Sequence, residues 1–270
     1  MTGLELRPLS LGEILDRTFS IYRRHFVLFA GISLAPRIVL IALTQVQVWI
    51  YPQSTVPGTA PFVVFSLGIL LATLAAYLFS QGGTTLAIAE IYLGRPATIS
   101  GSLRAAGGHL GFLFGAIVLN GLVVGLGFVL LVVPGIFLLC RLFVCIPVVL
   151  IEERSPSESL SRSFHLSKGF FWRILAMYFF VALTMIVLIS IPYGILANVF
   201  KDPAYVLALT SIYQLAVQIL SSVLQPILLI AVTIYYFDLR VRKEAFDLQF
   251  MLDPHSAGTS RGSNVPSILS

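Results

Sequence analysis

Charged side chains are scarce in this sequence: Asp, Glu, Lys and Arg make up 11% of its 270 residues. A soluble domain of average composition carries about 25%, whereas 57% of the residues here are hydrophobic. This deficit excludes an ordinary water-soluble domain and indicates that lipid is the solvent of most of the chain. The net charge is +5, but the basic residues form no long run interleaved with aromatic residues. No nucleic-acid partner is therefore predicted.

Residues that build disulfides, metal sites and catalytic motifs are also few. Cys140 and Cys145 lie five positions apart in one apolar stretch and would point to different sides of a helix, so no disulfide is predicted. The histidines lack metal-ligand spacing, and neither a G-x-S-x-G elbow nor a P-loop occurs. We interpret the adjacent pair Glu152-Glu153 as a solvated helix end rather than as an acid and base. No catalytic residue, metal ligand or cofactor is therefore predicted, and we expect a protein that is not an enzyme.

Six long apolar stretches dominate the sequence. A bilayer core about 30 Å thick needs about 20 apolar residues in a helix. The candidates are residues 26–50, 62–93, 110–133, 136–151, 170–200 and 205–237. We expect Pro134-Gly135 to turn the chain between the third and fourth stretches. Lengths above 25 residues indicate tilt, a break or projection into the cytoplasm, and Gly82-Gly83 and Pro226 are the candidate break points of the second and the sixth. The predicted fold class is all-α: a polytopic bundle of six transmembrane helices within residues 1–250.

Basic residues are concentrated on alternate connections between these stretches. They are Arg7, Arg17, Arg23 and Arg24 before the first stretch, Arg95 and Arg104 after the second, Arg154, Arg162, Lys168 and Arg173 after the fourth, and Arg240, Arg242, Lys243 and Arg261 after the sixth. The other connections hold only Lys201. The positive-inside rule therefore predicts that both termini are cytoplasmic. The polar first 25 residues predict no cleaved signal peptide, and residues 251–270, rich in Ser, Gly and Pro, predict a disordered cytoplasmic tail.

A repeated pattern precedes the first and the fifth stretch. Residues 13–26 and 158–171 share E-x-L-x-R-[ST]-F-x-[IL]-x-[RK]-x-x-F at an offset of 145. The matching positions include Glu13, Arg17 and Phe19 in one copy and Glu158, Arg162 and Phe164 in the other. Ser10 and Ser155 stand three residues before each Glu, the spacing of a capping box. We interpret each copy as a short amphipathic helix on the cytoplasmic surface, residues 10–24 in the first, that leads into a spanning helix.

Two alternatives remain open for this repeat. Chance similarity between two amphipathic helices would explain the match without duplication. In the other reading, residues 100–109 are a degenerate third copy, and the bundle consists of three units, each an interfacial helix followed by a transmembrane hairpin.

Polar side chains inside the apolar stretches form a candidate intramembrane site. At a rise of about 1.5 Å per residue, Arg37 and Arg141 lie about 16 and 15 Å inside the predicted spans. A charged residue there costs at least about 2.5–3.5 kcal/mol, so it should face protein or water. The candidate site comprises Arg37, Gln81, Asn120, Arg141 and Gln225. These side chains either line a cationic cavity for an anion, or the arginines donate to carbonyls freed near Pro36 and Pro134 or to the Gln and Asn side chains.

Three segments resemble a known family: residues 7–19 (R-P-L-S-L-G-E-I-L-D-R-T-F), 133–141 (V-P-G-I-F-L-L-C-R) and 235–248 (Y-Y-F-D-L-R-V-R-K-E-A-F-D-L). They look like parts of the glycerophosphoryl diester phosphodiesterase membrane domain, a mostly bacterial family, and the resemblance spans residues 5–250. Some members carry a catalytic barrel as well, which would need roughly 250 further residues. The resemblance therefore implies a stand-alone membrane domain of the bacterial inner membrane, with no active-site residue to carry over.

The sequence leaves three functions open. The first is a membrane scaffold or accessory protein that engages a protein partner or lipids, including anionic headgroups at its basic face. The second is a transporter or channel for an anionic or lipid-like solute that uses Arg37 and Arg141. The third is a lipid-active phosphodiesterase. A solvent-connected cavity reaching both arginines would favour transport, whereas a packed bundle with both guanidinium groups bonded would favour the scaffold.

Overall fold

The computed structural model describes residues 8–50, 60–187 and 203–244, and within them the chain forms ten helices and no strand. In chain order these are α1 (Leu11–Arg24), α2 (Phe26–Ile50), α3 (Ala60–Tyr92), α4 (Ile99–Gly108), α5 (Leu110–Leu130), α6 (Val132–Arg141), α7 (Cys145–Ile151), α8 (Pro156–Leu166), α9 (Phe171–Met185) and α10 (Pro203–Glu244). The predicted all-α fold class is confirmed. The predicted tail, residues 251–270, lies outside the described residues.

Five stretches are long and apolar enough to cross a bilayer by length and composition. They are Phe26–Gln47, Ala60–Tyr92, Leu110–Leu130, Val132–Ile151 and Leu215–Glu244. They correspond to five of the six predicted spans. The remaining predicted span, residues 170–200, begins in α9. The part Phe171–Phe180 of this helix is apolar but shorter, and the end of the predicted span lies outside the described residues. The chain is therefore a multi-pass membrane protein.

The turn between α5 and α6 differs from the sequence prediction. Leu131 makes it, with an extended backbone (φ −166°, ψ 158°), whereas Pro134 lies in the first turn of α6, where a missing N–H costs no intrahelical bond. Gly135 is buried, and a Cβ there would lie 2.5 Å from the ring of Phe128. This glycine therefore acts through its small size, which lets α5 and α6 pack closely.

The candidate break points of the second and sixth spans do not interrupt their helices. Helix α3 continues through Gly82 and Gly83, and α10 continues through Pro226. A Cβ on Gly82 would lie 2.9 Å from the Cβ of Ala106 in α4, and one on Gly83 would lie 2.9 Å from the side chain of Ile32 in α2. The glycines therefore serve close helix packing, and that packing keeps α3 helical where isolated propensity would weaken it.

Two hairpins of the described chain begin and end at one end of the bundle, which we call the polar end: α1, α4, α8 and the part of α10 from Tyr236 to Glu244. Leu9 and Arg173 both bind Asp238 of α10, and Glu152 accepts a hydrogen bond from Tyr236. Helices α2 and α3 form one hairpin, α5 with α6 and α7 the next, and α9 leads away from the polar end to which α10 returns.

The packed core lies towards the polar end. All residues of α10 from Leu229 to Leu239 are buried, and Tyr92 stacks on Phe237 with ring centroids 4.5 Å apart. In the other half of α3, by contrast, Val64 is 70% exposed. At about 1.5 Å per residue, α3 and α10 are about 50 and 63 Å long, against a bilayer core of about 30 Å. We therefore expect lipid to cover the exposed apolar halves of these helices. Their halves towards the polar end are packed in the protein core.

Capped amphipathic helices occupy the predicted repeat positions. Capping boxes form at Ser10 with Glu13 and at Ser155 with Glu158. Residues 10–24 contain the helix α1, and its position at the membrane surface stays a prediction. Matching positions have matching exposure: Ile14 and Ser159 are buried, Thr18 and Ser163 are buried, and Phe19 and Phe164 are 39% and 40% exposed. Helix α4 occupies the place of the third copy, with Thr98 as its N-cap. Duplication itself stays a prediction.

Candidate functional sites in the bundle and at the polar end

Two predicted intramembrane residues, Arg37 of α2 and Gln225 of α10, form a hydrogen-bonded pair. The Arg37 Nη2 donates to the Gln225 Oε1 at 2.9 Å. Inside a membrane, a side-chain bond between helices satisfies a group that lipid cannot solvate. This geometry matches the alternative in which an arginine donates to an amide side chain.

Two other predicted residues, Gln81 and Asn120, line a cavity of about 190 Å³ between α3, α5, the α6–α7 region, α9 and α10. The lining also includes Tyr77, Thr85, Leu142, Phe143, Ile146, Pro147, Tyr178, Leu228, Leu229, Val232 and Thr233. The Gln81 Oε1 and the Thr85 Oγ1 are buried and have no hydrogen-bond partner among the described residues. Buried polar atoms of this kind need water or a polar guest. The described lining is uncharged, so the cavity suits a neutral polar occupant.

The fifth predicted residue, Arg141, belongs neither to the Arg37–Gln225 pair nor to the lining of the cavity. Its guanidinium lies over the rings of Phe137 and Phe164, 5.0 and 4.7 Å from their centroids. Its backbone carbonyl accepts hydrogen bonds from the hydroxyls of Ser163 and Ser167 at 3.1 and 2.8 Å. The helix ends at Arg141 and α8 packs beside it, so the depth computed for one continuous span does not describe its surroundings. Arg141 belongs with α8 at the polar end.

A buried carboxylate, which the sequence reasoning did not select, joins three parts of the chain at Asp238. Its side chain is 0% exposed and accepts the backbone N–H of Leu9 at 2.7 Å. It pairs with Arg173 of α9 at 3.3 Å and with Arg242 of α10 at 2.9 Å. Both arginines also donate to the Leu9 carbonyl. The available signal was an acid directly after a long apolar run, with an arginine four residues later.

Glu152 is the centre of a second network, which corrects the prediction of a solvated helix end. Its side chain is only 9% exposed, and its carboxylate binds Arg154 at 2.7 Å and Arg162 at 3.0 Å. The hydroxyl of Tyr236 donates to it at 3.0 Å. Glu153, in contrast, is exposed and has a positive φ of 51°. The prediction fails for Glu152 because α8 folds back over the end of α7 and brings Arg162 to it.

Helix α1 is fastened to α10 by Tyr22. Its hydroxyl donates to the Val223 carbonyl at 2.6 Å, and burial raises the pKa of this phenol above its ordinary value. At the junction of α1 and α2, burial and the neighbouring Arg24 lower the pKa of the His25 imidazole. Both groups are therefore held in their neutral forms at neutral pH.

No group of three or more His, Cys, Asp or Glu side chains is placed to hold a metal ion within the described ranges. Cys140 and Cys145 are buried free thiols. The structure thus divides the predicted site into an arginine–amide pair, an uncharged cavity and a separate arginine at the polar end.

No family model, curated protein or solved structure matches the chain. The helices and their exposed apolar surfaces nevertheless identify it as an integral, multi-pass α-helical membrane protein.

Proposed function

We propose that the chain is a non-enzymatic protein of the bacterial inner membrane, a scaffold or accessory protein that engages lipids or partner proteins through its polar end. The observation that carries the proposal is the separation of the two arginines that the sequence predicted inside the membrane. Arg37 is bonded to Gln225, Arg141 packs against α8, and neither is among the described residues that line the cavity. The two arginines and the cavity, which together would make an anion pathway, therefore lie in separate places.

The carboxylates of the polar end support this assignment. Asp238 binds the segment before α1, α9 and its own helix, while Glu152 binds Arg154, α8 and α10. Their oxygens are occupied by arginine, tyrosine and backbone donors. Such groups fasten helices together rather than face a substrate, which supports a non-enzymatic role.

The concentration of basic residues supports a cytoplasmic location for the polar end, by the positive-inside rule. The contact between Leu9 and Asp238 brings the two ends of the described chain together there, so we place both termini in the cytoplasm. The exposed Arg104 offers a test, because both native cysteines are buried. A cysteine introduced by Arg104→Cys should react with an impermeant maleimide only after spheroplasts are permeabilised. Labelling in intact spheroplasts would reverse the orientation.

The proposal includes the resemblance to the glycerophosphoryl diester phosphodiesterase membrane domain. Its closing segment, residues 235–248, contains Tyr236 and Asp238, and both contribute to the networks that fasten α10. The polar residues of this segment therefore have a structural role, because they fasten α10 to the rest of the bundle.

A transporter is the second candidate, because the cavity holds two polar atoms without described partners. Proteoliposomes containing the full chain separate the two functions. We expect uptake of labelled phosphate, of glycerol phosphate and of mannitol, a neutral polar solute, to equal that of protein-free liposomes. We also expect the purified chain to retain phosphatidylglycerol in preference to phosphatidylcholine. Uptake that Arg37→Gln reduces, with Gln218→Leu in α10 as the matched control, would replace the scaffold with a transporter.

The enzyme alternative is tested with a chromogenic phosphodiester, bis(4-nitrophenyl) phosphate. We expect no turnover above the protein-free rate, because the Glu152 carboxylate is occupied by three donors. Turnover by the wild-type chain that Glu152→Gln abolishes would overturn the non-enzymatic assignment.

A further inference from the structure

We propose that Arg141, Lys168 and Lys243, here called the Arg141 cluster, bind the phosphate group of an anionic membrane lipid. The inference rests on the proposed function and gives it a site and a headgroup chemistry. Three elements meet in this cluster: Arg141 ends α6, Lys168 follows α8, and Lys243 lies in the last turn of α10. The Lys243 ammonium is fixed by a 2.5 Å hydrogen bond to the His165 carbonyl.

The cluster carries positive charge that described carboxylates do not balance. Arg141 and Lys243 donate to the carbonyls of the consecutive residues Phe164 and His165, and Lys168 stands three residues further along the chain. Glu244 also acts on Lys243, but its carboxylate is already paired with Arg162 and Arg240. The Arg141 cluster itself makes no ion pair with any residue in the described ranges. Cations held together in this way repel one another, and an anion placed between them removes that cost.

The guanidinium of Arg141 is held in place by its neighbours but makes few hydrogen bonds. Phe137 and Phe164 lie on its guanidinium, and the Ser163 and Ser167 hydroxyls hold its backbone carbonyl. Its single hydrogen bond to a described residue is a 3.5 Å contact with the Phe164 carbonyl, at the limit for such a bond. Its Nε is buried and has no partner among the described residues, so the donors left for a ligand are the N–H groups of Nη1 and Nη2. A guanidinium offers five N–H donors in a planar fork that fits phosphate oxygens.

Exposed aromatic rings beside the cluster favour a lipid over a soluble phosphate. Phe137 and Phe164 are 39% and 40% exposed, and Trp172 is 78% exposed. Phe171 connects them, with ring centroids 6.0 Å from Phe137 and 5.3 Å from Trp172. Exposed Trp side chains such as that of Trp172 are favoured where acyl chains meet headgroups, and the exposed Phe rings beside it add apolar surface. A phosphate bound by the Arg141 cluster would therefore lie at the headgroup level, with its acyl chains along the apolar helices.

Native mass spectrometry of the full chain in detergent, titrated with phosphatidylglycerol or phosphatidylcholine, tests the site. We expect tighter binding of phosphatidylglycerol by the wild-type chain and about tenfold weaker binding by Arg141→Gln, which loses a charge-assisted contact. Lys168→Gln should weaken it as well, and because Lys168 is exposed and makes no described ion pair, this variant should fold normally. Arg104→Gln, an exposed arginine of α4, is the matched control with the same change in charge and should bind as the wild type does.

The remaining outcomes separate the site from the function. Equal losses in Arg104→Gln and Arg141→Gln would refute the site and leave a diffuse electrostatic attraction, so lipid engagement by the polar end would survive. Equal binding of both lipids by the wild-type chain would refute both. Displacement of phosphatidylglycerol by an equal concentration of inorganic phosphate would refute the lipid assignment in favour of a soluble anion.

Discussion

The backbone N–H of Leu9 donates to the carboxylate of Asp238 at 2.7 Å, across 229 positions of sequence. The same carboxylate pairs with Arg173 and Arg242, and its side chain is 0% exposed. One buried acid thus holds the segment before α1, the start of α9 and the last turns of α10 together. The closure of the bundle at its polar end depends on this group.

Replacing this acid should strongly destabilise the protein. Asp238→Asn leaves two guanidinium groups beside an uncharged amide, and breaking a buried ion pair typically costs about 3–5 kcal/mol. We expect the melting temperature to fall by more than about 6 °C. Unfolding can be followed by a thiol-reactive dye, because Cys140 and Cys145 are buried until the fold opens. The exposed Asp16 of α1 supplies the control, Asp16→Asn; equal melting temperatures for the two variants would contradict this role of Asp238.

The contact between α5 and α6 should depend on the size of residue 135. Gly135→Ala places a Cβ 2.5 Å from the Phe128 ring, and overpacking of this kind costs about 1–3 kcal/mol. Gly121→Ala in α5 is the matched control, since a Cβ there meets nothing within 4 Å. The control should be neutral or slightly stabilising because alanine favours helix. If both alanine variants melt at the same temperature, the close approach of the hairpin is not what Gly135 provides.

The cap of α8 should make stability depend on pH. Hydrogen bonds from the Ser155 hydroxyl and backbone N–H lower the pKa of Glu158 below its ordinary value. A lowered pKa in the folded state means that the stabilisation is complete above the unfolded pKa of about 4.3 and is lost as pH falls through the folded value. Glu158→Gln keeps an acceptor but cannot titrate, so the wild-type advantage in melting temperature should shrink between about pH 6 and 3.5. A constant difference over that range would show that the box does not depend on charge.

The cavity should tolerate loss of one threonine hydroxyl better than another. Thr85 Oγ1 has no described partner, whereas Thr233 Oγ1 donates to the Leu229 carbonyl at 2.7 Å, and both side chains line the cavity. Removing an unpaired buried hydroxyl in favour of a methyl group is nearly neutral or stabilising, while removing a bonded one costs about 0.5–1.5 kcal/mol. Thr85→Val should therefore melt at or above the wild-type temperature, and Thr233→Val below it. The reverse order would indicate that Thr85 binds whatever occupies the cavity.

The sequence predicted the apolar spans and the caps well, because each depends on local chemistry. A run of about 20 apolar residues requires lipid or a core, and a serine three positions before a glutamate satisfies the free N–H groups of a helix start. The turn at Pro134-Gly135 was predicted wrongly because proline and glycine also serve the first turn of a helix and close packing, and only the neighbouring Phe128 distinguishes these roles.

The candidate site was predicted less well, because depth along one helix does not determine neighbours. Arg37 and Arg141 looked equivalent by their distance from the ends of the spans. The structure pairs Arg37 with Gln225 and places Arg141 beside Phe164, since α6 ends at residue 141 and α8 folds back there. Glu152 was expected in solvent for the same reason: its partner Arg162 comes from a helix whose direction the sequence does not specify.

The amino-acid sequence alone determined that this is an all-helical membrane protein with capped amphipathic helices, because hydropathy and capping act over a few residues. Only the tertiary structure decided that Asp238 closes the bundle, that Gln81 and Asn120 share an uncharged cavity, and that Arg141 stands with Lys168 and Lys243. Those relationships join residues from different helices. These contacts arise from the packing of the helices against one another. Composition and periodicity describe each helix separately and do not indicate which helices are neighbours.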